Sequence, residues 1–279
     1  MDIVFYILLS VLWFILLILY FKGSGQKNLF LQNTISKINK LIPYNYYSIF
    51  IEVSNLYKYS QFYDVTISGN IMFNIYNDLQ KKYGKKNTFL FSSNQIVLIL
   101  PFDEEIINNM QLRHQQQARV AEEVINYIEN KKYILNNSQY YIAKLSIGTG
   151  SVGNIFKESE MDEVVKLSQF AQLKAKERGR QIVIADEQLR IIKKDLDCFY
   201  KEMEKGFELD QFTPFFMPII NPKTMKISGC ESLVRWRKDK YRIIEASKFY
   251  DIAFEKNLFE KIDIRVMEKT FQCYHSWNK

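Results

Sequence analysis

The chain has 279 residues, 47% of them apolar and 25% charged, a balance that excludes a disordered or fibrous chain and allows one large or two modest globular domains. Its formal net charge is +7, but the lysines are scattered among Asp, Glu, Asn and Tyr, so they are read as solvated faces and no nucleic-acid partner is expected. Cys198, Cys230 and Cys273 lie far apart without metal spacing, and His114 and His275 are separated by most of the chain, which argues against a histidine-based metal cluster or triad and suits a reducing cytosol.

Residues 3–21 are uncharged and overwhelmingly apolar. As a helix they span roughly 28 Å at 1.5 Å per residue, close to a hydrocarbon core. The stretch begins Met1-Asp2 and ends Tyr20-Phe21-Lys22, without the basic start or small-residue cleavage site of a secretory signal, so an uncleaved transmembrane anchor is expected over residues 1–22. Lys22, Lys27, Lys37 and Lys40 follow the span while Asp2 precedes it. The expected location is therefore a bacterial inner (plasma) membrane, single-pass, with the C-terminal domains cytoplasmic.

After the anchor the pattern alternates. A helix near 27–42, with Leu29, Leu31, Ile35, Ile38 and Leu41 as a packing face, precedes a strand at 48–53 and a helix near 67–82. A hairpin of 88–91 and 95–100 turns at Ser92-Ser93-Asn94. Then come a long helix from Glu104 to Glu129, a strand from Tyr141 to Ile147, a helix from Met161 to Arg178 and a strand at 181–184. The order predicts an α/β sandwich with a mainly antiparallel sheet and a hairpin at its working edge. Gly148, Gly150 and Gly153 alternate after a strand, but the following sequence lacks the lysine of a phosphate-binding loop.

This order resembles a GGDEF domain, the cyclase partner often fused ahead of EAL domains. Leu145-Ser146-Ile147-Gly148 is similar to that family's Val-Ser-Ile-Gly strand, and Ala175-Lys176-Glu177-Arg178-Gly179-Arg180 to its Ala-Lys-x-x-Gly-Arg element. The signature hairpin differs: Ser92, Ser93, Asn94, Gln95 and Ile96 stand where the family has Gly-Gly-Asp-Glu-Phe, removing the glycines that admit substrate and the acids that bind metal. Glu52 keeps one carboxylate at the first metal position, Ser54 replaces the next acid, and Ser60-Gln61 replace the pair that meets guanine. Tyr83-Gly84-Lys85-Lys86 replaces the inhibitory Arg-x-x-Asp. The resemblance thus implies a degenerate domain without diguanylate cyclase activity.

Further on, residues 214–220 form an apolar run, Asn221-Pro222-Lys223-Thr224 has turn chemistry, and 225–236 alternates into a second strand. Glu231 and Arg235, four apart, share a face of that strand, an arrangement that suits a metal-and-phosphate site or a plain surface ion pair. Residues 246–277 read as helices with Phe249, Ile252, Ala253, Leu258, Ile262, Val266 and Phe271 as the apolar face.

Phe216-Met217-Pro218-Ile219, Glu231-Ser232-Leu233-Val234-Arg235-Trp236 and Phe249-Tyr250-Asp251-Ile252-Ala253-Phe254-Glu255 resemble, in order, the Tyr-Gln-Pro-Ile, Glu-Ala-Leu-Leu-Arg-Trp and Phe-Ile-Pro-Leu-Ala-Glu-Glu elements of the EAL family, the barrel that hydrolyses cyclic di-GMP. Met217 departs at the family glutamine and Ser232 at the motif alanine. The resemblance implies Glu231 as a metal ligand and Arg235 as a phosphate contact. The family's remaining ligands lie on later strands. A barrel takes roughly 250 residues, so an incomplete (β/α) barrel is expected here, open or partner-completed.

The expected map is an anchor at 1–22, a degenerate GGDEF-like domain at 23–190 and a truncated EAL-like domain at 200–279. The function this implies is a membrane-anchored cyclic di-GMP signalling protein of the EAL phosphodiesterase family, non-catalytic at this length. The alternative is the N-terminal portion of an active phosphodiesterase using divalent metals. Magnesium or manganese is expected only if the EAL site is completed. Cyclic di-GMP, the membrane, and a second copy or another protein are the expected partners.

Overall fold

The computed structural model describes residues 41–56, 65–135, 139–153 and 160–277. The expected anchor at 1–22, and all but the end of the helix expected near 27–42, lie outside the described residues. Two compact units follow from the contact pattern, one up to Ile191 and one from Ile192.

The first unit is built on β1 (Tyr46–Val53). Hydrogen-bonded neighbours on both sides and helices on both faces bury this strand, which is why it reads as a nearly continuous apolar run instead of an alternating one. Its neighbours are β2 (Thr88–Ser92), β3 (Gln95–Pro101), β6 (Leu145–Ser151) and β7 (Ile182–Ile184), in the order β2-β3-β1-β6-β7. Every pairing is antiparallel except β6 with β7. A separate two-stranded ribbon joins β4 (Tyr133–Ile134) to β5 (Tyr140–Tyr141).

One face of the sheet, with Tyr47, Ile49, Ile51 and Val53 of β1, packs on α1 (Val65–Tyr83) and α2 (Met110–Glu129) through Ile71, Ile75, Leu79, Val120, Val124 and Ile128. The opposite face, with Phe50, Val97 and Ile99, packs on Met161, Val164 and Val165 of α3 (Met161–Glu177). Gly148 and Gly150 set how closely α3 approaches. A Cβ on Gly148 would fall 2.0 Å from the Gln172 amide nitrogen and 2.2 Å from the Ser168 carbonyl oxygen. These glycines are therefore contact points for a helix.

Three boundaries differ from expectation. The helix expected from Glu104 starts at Met110, because a 3-10 turn occupies Glu104–Ile106 and the Asn109 side chain accepts from the Leu112 amide as an N-cap at 3.2 Å. The strand expected at 141–147 divides into β5 and β6. A helix not expected at all, α4 (Glu187–Glu208), fills the gap in the expected map; the Asp186 carboxylate caps it by accepting from the Leu189 amide at 2.8 Å. The division between the units falls inside α4.

The second unit contains a three-stranded antiparallel sheet, β10-β9-β8, made of β8 (Phe212–Ile220), β9 (Ile227–Arg237) and β10 (Ile243–Glu245), followed by α5 (Tyr250–Glu255) and α6 (Phe259–Trp277). Its core is aromatic. Trp236 is fully buried, stacked on Phe212 at 5.6 Å and edge-on to Phe199 and Phe249 at 5.4 and 6.4 Å. The indole Nε1 donates to Gln211 Oε1 at 3.0 Å, and Gly206 makes room for the ring, since a Cβ there would fall 2.5 Å from Nε1. Lys269 of α6 donates to the Asp210 and Phe212 carbonyl oxygens at 2.9 and 2.7 Å, tying the start of β8 to that helix.

The expected fold class is corrected in one respect. Among the described residues no helix is long and apolar enough to cross a membrane, so the described architecture is two mixed α/β units without a transmembrane element. Stability should reflect the glycine contacts. Gly148→Ala is expected to cost about 3 kcal/mol or more, because a methyl group forced against helix backbone has nowhere to go. Gly69→Ala in α1, with nothing within 4 Å of the new Cβ, should stabilise by about 1 kcal/mol. Urea unfolding of the two variants checks both signs.

Candidate functional site

Burial of Trp236 fixes which way β9 faces. Because side chains alternate along a strand, Ser232, Val234 and Trp236 turn toward the helices, where Ser232 Oγ lies 2.8 Å from Thr270 Oγ1 of α6. Glu231, Leu233 and Arg235 therefore take the other face. Met217 of β8 sits directly opposite Glu231, and Arg235 is flanked by Thr213 of β8 and Glu245 of β10. The strand pairing thus brings Met217, Glu231 and Arg235 to one face, the side without α6.

Glu231 and Met217 are exposed and Arg235 is half-buried. Among the described residues Glu231 and Arg235 do not form an ion pair; the Arg235 Nη1 donates to the Val234 carbonyl oxygen at 2.9 Å. A solvated carboxylate and a guanidinium with remaining donors can meet a ligand from outside, the first through a cation, the second through a phosphate oxygen. They do not by themselves make a metal site. Among the described residues no group of three or more His, Cys, Asp or Glu is arranged to hold a metal ion. Among the described residues the other acid on this face, Glu245, stands opposite Arg235 and not opposite Glu231, an arrangement that does not fit the divalent metal pair that the family resemblance implies.

Thr213 belongs to the same strand face, and its buried hydroxyl has no hydrogen-bond partner among the described residues. No sequence signal singled it out. Its position beside Arg235 emerges only from the pairing register.

The first unit's would-be site is closed from within. Glu52 lies near the end of β1, between Gln95 of β3 and Ser146 of β6, and is only 7% exposed. Lys176 Nζ donates to its Oε1 at 2.7 Å and Gln172 Nε2 to its Oε2 at 3.0 Å, while Gln172 also reaches Ser146 Oγ at 3.3 Å. Both carboxylate oxygens are thus engaged by α3. Lys176, from the Ala-Lys element, was legible as a motif, but its pairing with Glu52 across 124 positions was not.

The signature-position hairpin is a tight turn at Ser93-Asn94. Ser92 Oγ lies 3.2 Å from Asn94 Oδ1 and 3.1 Å from Gln95 Oε1, so its single hydroxyl proton is shared between two side-chain amide oxygens. Ile96 is fully buried in β3. Gly84, in the segment replacing the inhibitory site, has φ +94° and ends α1 by donating its amide to the Gln80 carbonyl oxygen at 2.9 Å. Ser60 and Gln61 lie outside the described residues. His114 is half-buried, and burial followed by Arg190 and Arg113 lowers its pKa.

Residues 201–279 match the EAL domain family model. The matched stretch contains the Trp236 core and the Met217, Glu231 and Arg235 face. An uncharacterized Synechocystis protein is 23% identical over 95 residues, covering 29% of this chain and 14% of the relative. The chain therefore matches only about a seventh of that relative's length.

Among solved structures, a Vibrio cholerae LapD S helix-GGDEF-EAL structure bound to c-di-GMP gives a TM-score of 0.43 at 14% identity, covering 90% of this chain and 56% of that one. A GGDEF domain from Pseudomonas aeruginosa gives 0.44 at 12% identity, covering 61% and 93%. An EAL/GGDEF domain protein from M. capsulatus gives 0.41 at 12% identity, covering 51% and 85%. Scores at this level do not establish a shared fold.

The Glu52 cluster predicts a coupled pair. Lys176→Met should destabilise the first unit by about 1–2 kcal/mol, a value held down by the lysine's 56% side-chain exposure, because it leaves a buried carboxylate with one donor fewer. Adding Glu52→Gln should restore part of the loss. Chemical denaturation of the single and double variants measures the coupling.

Proposed function

We propose that this chain is a cyclic di-GMP signalling protein of the EAL lineage, in which the residues described act as a binding surface and carry out no hydrolysis. The observation that carries the reading is the placement of Glu231 and Arg235 on one open strand face inside the stretch matched by the EAL domain model. A guanidinium suits a phosphodiester oxygen, since it offers planar paired donors and stays charged. The solved c-di-GMP complex of the Vibrio cholerae protein names the same ligand. The first unit contributes no cyclase chemistry in this reading, because Glu52 is occupied by Lys176 and Gln172 and the hairpin lacks acids.

The second reading, an EAL phosphodiesterase, is favoured by Glu231, the retained acid. It requires further acidic groups from other strands to hold metal. Neither magnesium nor manganese enters the binding role proposed for the present residues.

Isothermal titration of the chain with cyclic di-GMP tests the proposal. Saturable binding is expected, weakened at least tenfold by Arg235→Ala, on the order of the 1.5–3 kcal/mol of a charged hydrogen bond. Glu231→Gln should change affinity less than threefold in metal-free buffer. Absence of saturable heat at millimolar nucleotide contradicts the binding role, and binding that appears only with added manganese and is lost in Glu231→Gln favours the metal-dependent reading.

A further inference from the structure

We infer that the first unit carries a separate site for a small phosphate-class anion, in an open polar cleft of about 420 Å³ between α1 and the segment that follows α2. Asn74, Asn77, Asp78 and Lys81 line one wall, spaced so that they share a face of α1. Lys131, Lys132, Tyr133 and Ile134 line the other. Three lysines and one carboxylate thus line the cleft.

That carboxylate is already engaged. Asp78 Oδ2 pairs with Lys131 Nζ at 3.1 Å and accepts from the Tyr133 hydroxyl at 3.3 Å. Lys81 and Lys132 have no acidic partner among the described residues; Lys132 Nζ lies 4.5 Å over the Tyr140 ring, a contact that leaves its positive charge uncompensated. What sets them apart from other exposed lysines is that they line one cleft together with Lys131, Asn74 and Asn77. Lys81 lies in the last turn of α1, where the helix dipole favours a cation, but Lys131 and Lys132 come from a different segment and close on the same cleft. Two carboxamides with N–H donors beside two uncompensated ammonium groups present the chemistry that phosphate oxygens accept.

This site does not depend on the EAL reading, and its test uses a different ligand. The full chain is titrated calorimetrically with inorganic pyrophosphate at low salt. Saturable binding is expected, weakened threefold or more by Lys81→Ala and by Lys132→Ala. Asp78→Asn should tighten it, because removing the cleft's carboxylate leaves an oxygen that still accepts from Tyr133. Circular dichroism melting confirms that each variant folds, and Lys81→Gln or Lys132→Gln replaces the alanine variant at that position if it does not. The inference is overturned by no saturable heat at millimolar pyrophosphate, by less than threefold change in both lysine variants, or by failure of Asp78→Asn to tighten binding.

Discussion

The candidate site depends on the burial of one indole. Trp236 can enter the aromatic core only because Gly206 leaves space for it and Gln211 accepts its N–H. Once Trp236 faces inward, the two-residue period of β9 forces Arg235, Leu233 and Glu231 outward, and pairing with β8 brings Met217 alongside Glu231. A shift of one residue would bury the arginine and carboxylate against α6 and expose the indole. In this motif, then, the tryptophan sets the phase of the strand, while the acid and the arginine are available to a ligand.

The first unit follows a different logic near the end of β1. Glu52 is buried between two neighbouring strands, and a buried carboxylate must be paired and hydrogen-bonded. Lys176 and Gln172 meet that requirement from the adjacent helix, which Gly148 and Gly150 allow to approach closely. This carboxylate is part of the fold's internal polar network. The Ser92-Ser93-Asn94-Gln95 turn, which carries no acid, is consistent with this structural role.

The strands and helices of the first unit were legible because they carry strong local signals. The apolar run at 48–53 and the two halves of the hairpin lie within two residues of β1, β2 and β3. The start of α2 was misread because the acids at 104 and 105 look helical, whereas Asn109 caps the helix five residues later. Helix α4 is amphipathic but carries no motif, and it lies across the boundary between the two motif-bearing regions. The shared face of Glu231 and Arg235 could be read from spacing alone. The Lys176–Glu52 pair, Thr213 beside Arg235, and the lysine-lined cleft could not, since each joins residues distant in sequence through register or helix packing.

A ligand-binding strand face and a hydrolytic metal site differ in what happens to the nucleotide. The full chain is incubated with cyclic di-GMP and manganese, and the nucleotides are separated by chromatography over several hours. A non-catalytic binding surface predicts that the cyclic dinucleotide is recovered intact. Metal-dependent accumulation of the linear dinucleotide, abolished by Glu231→Gln, would contradict it.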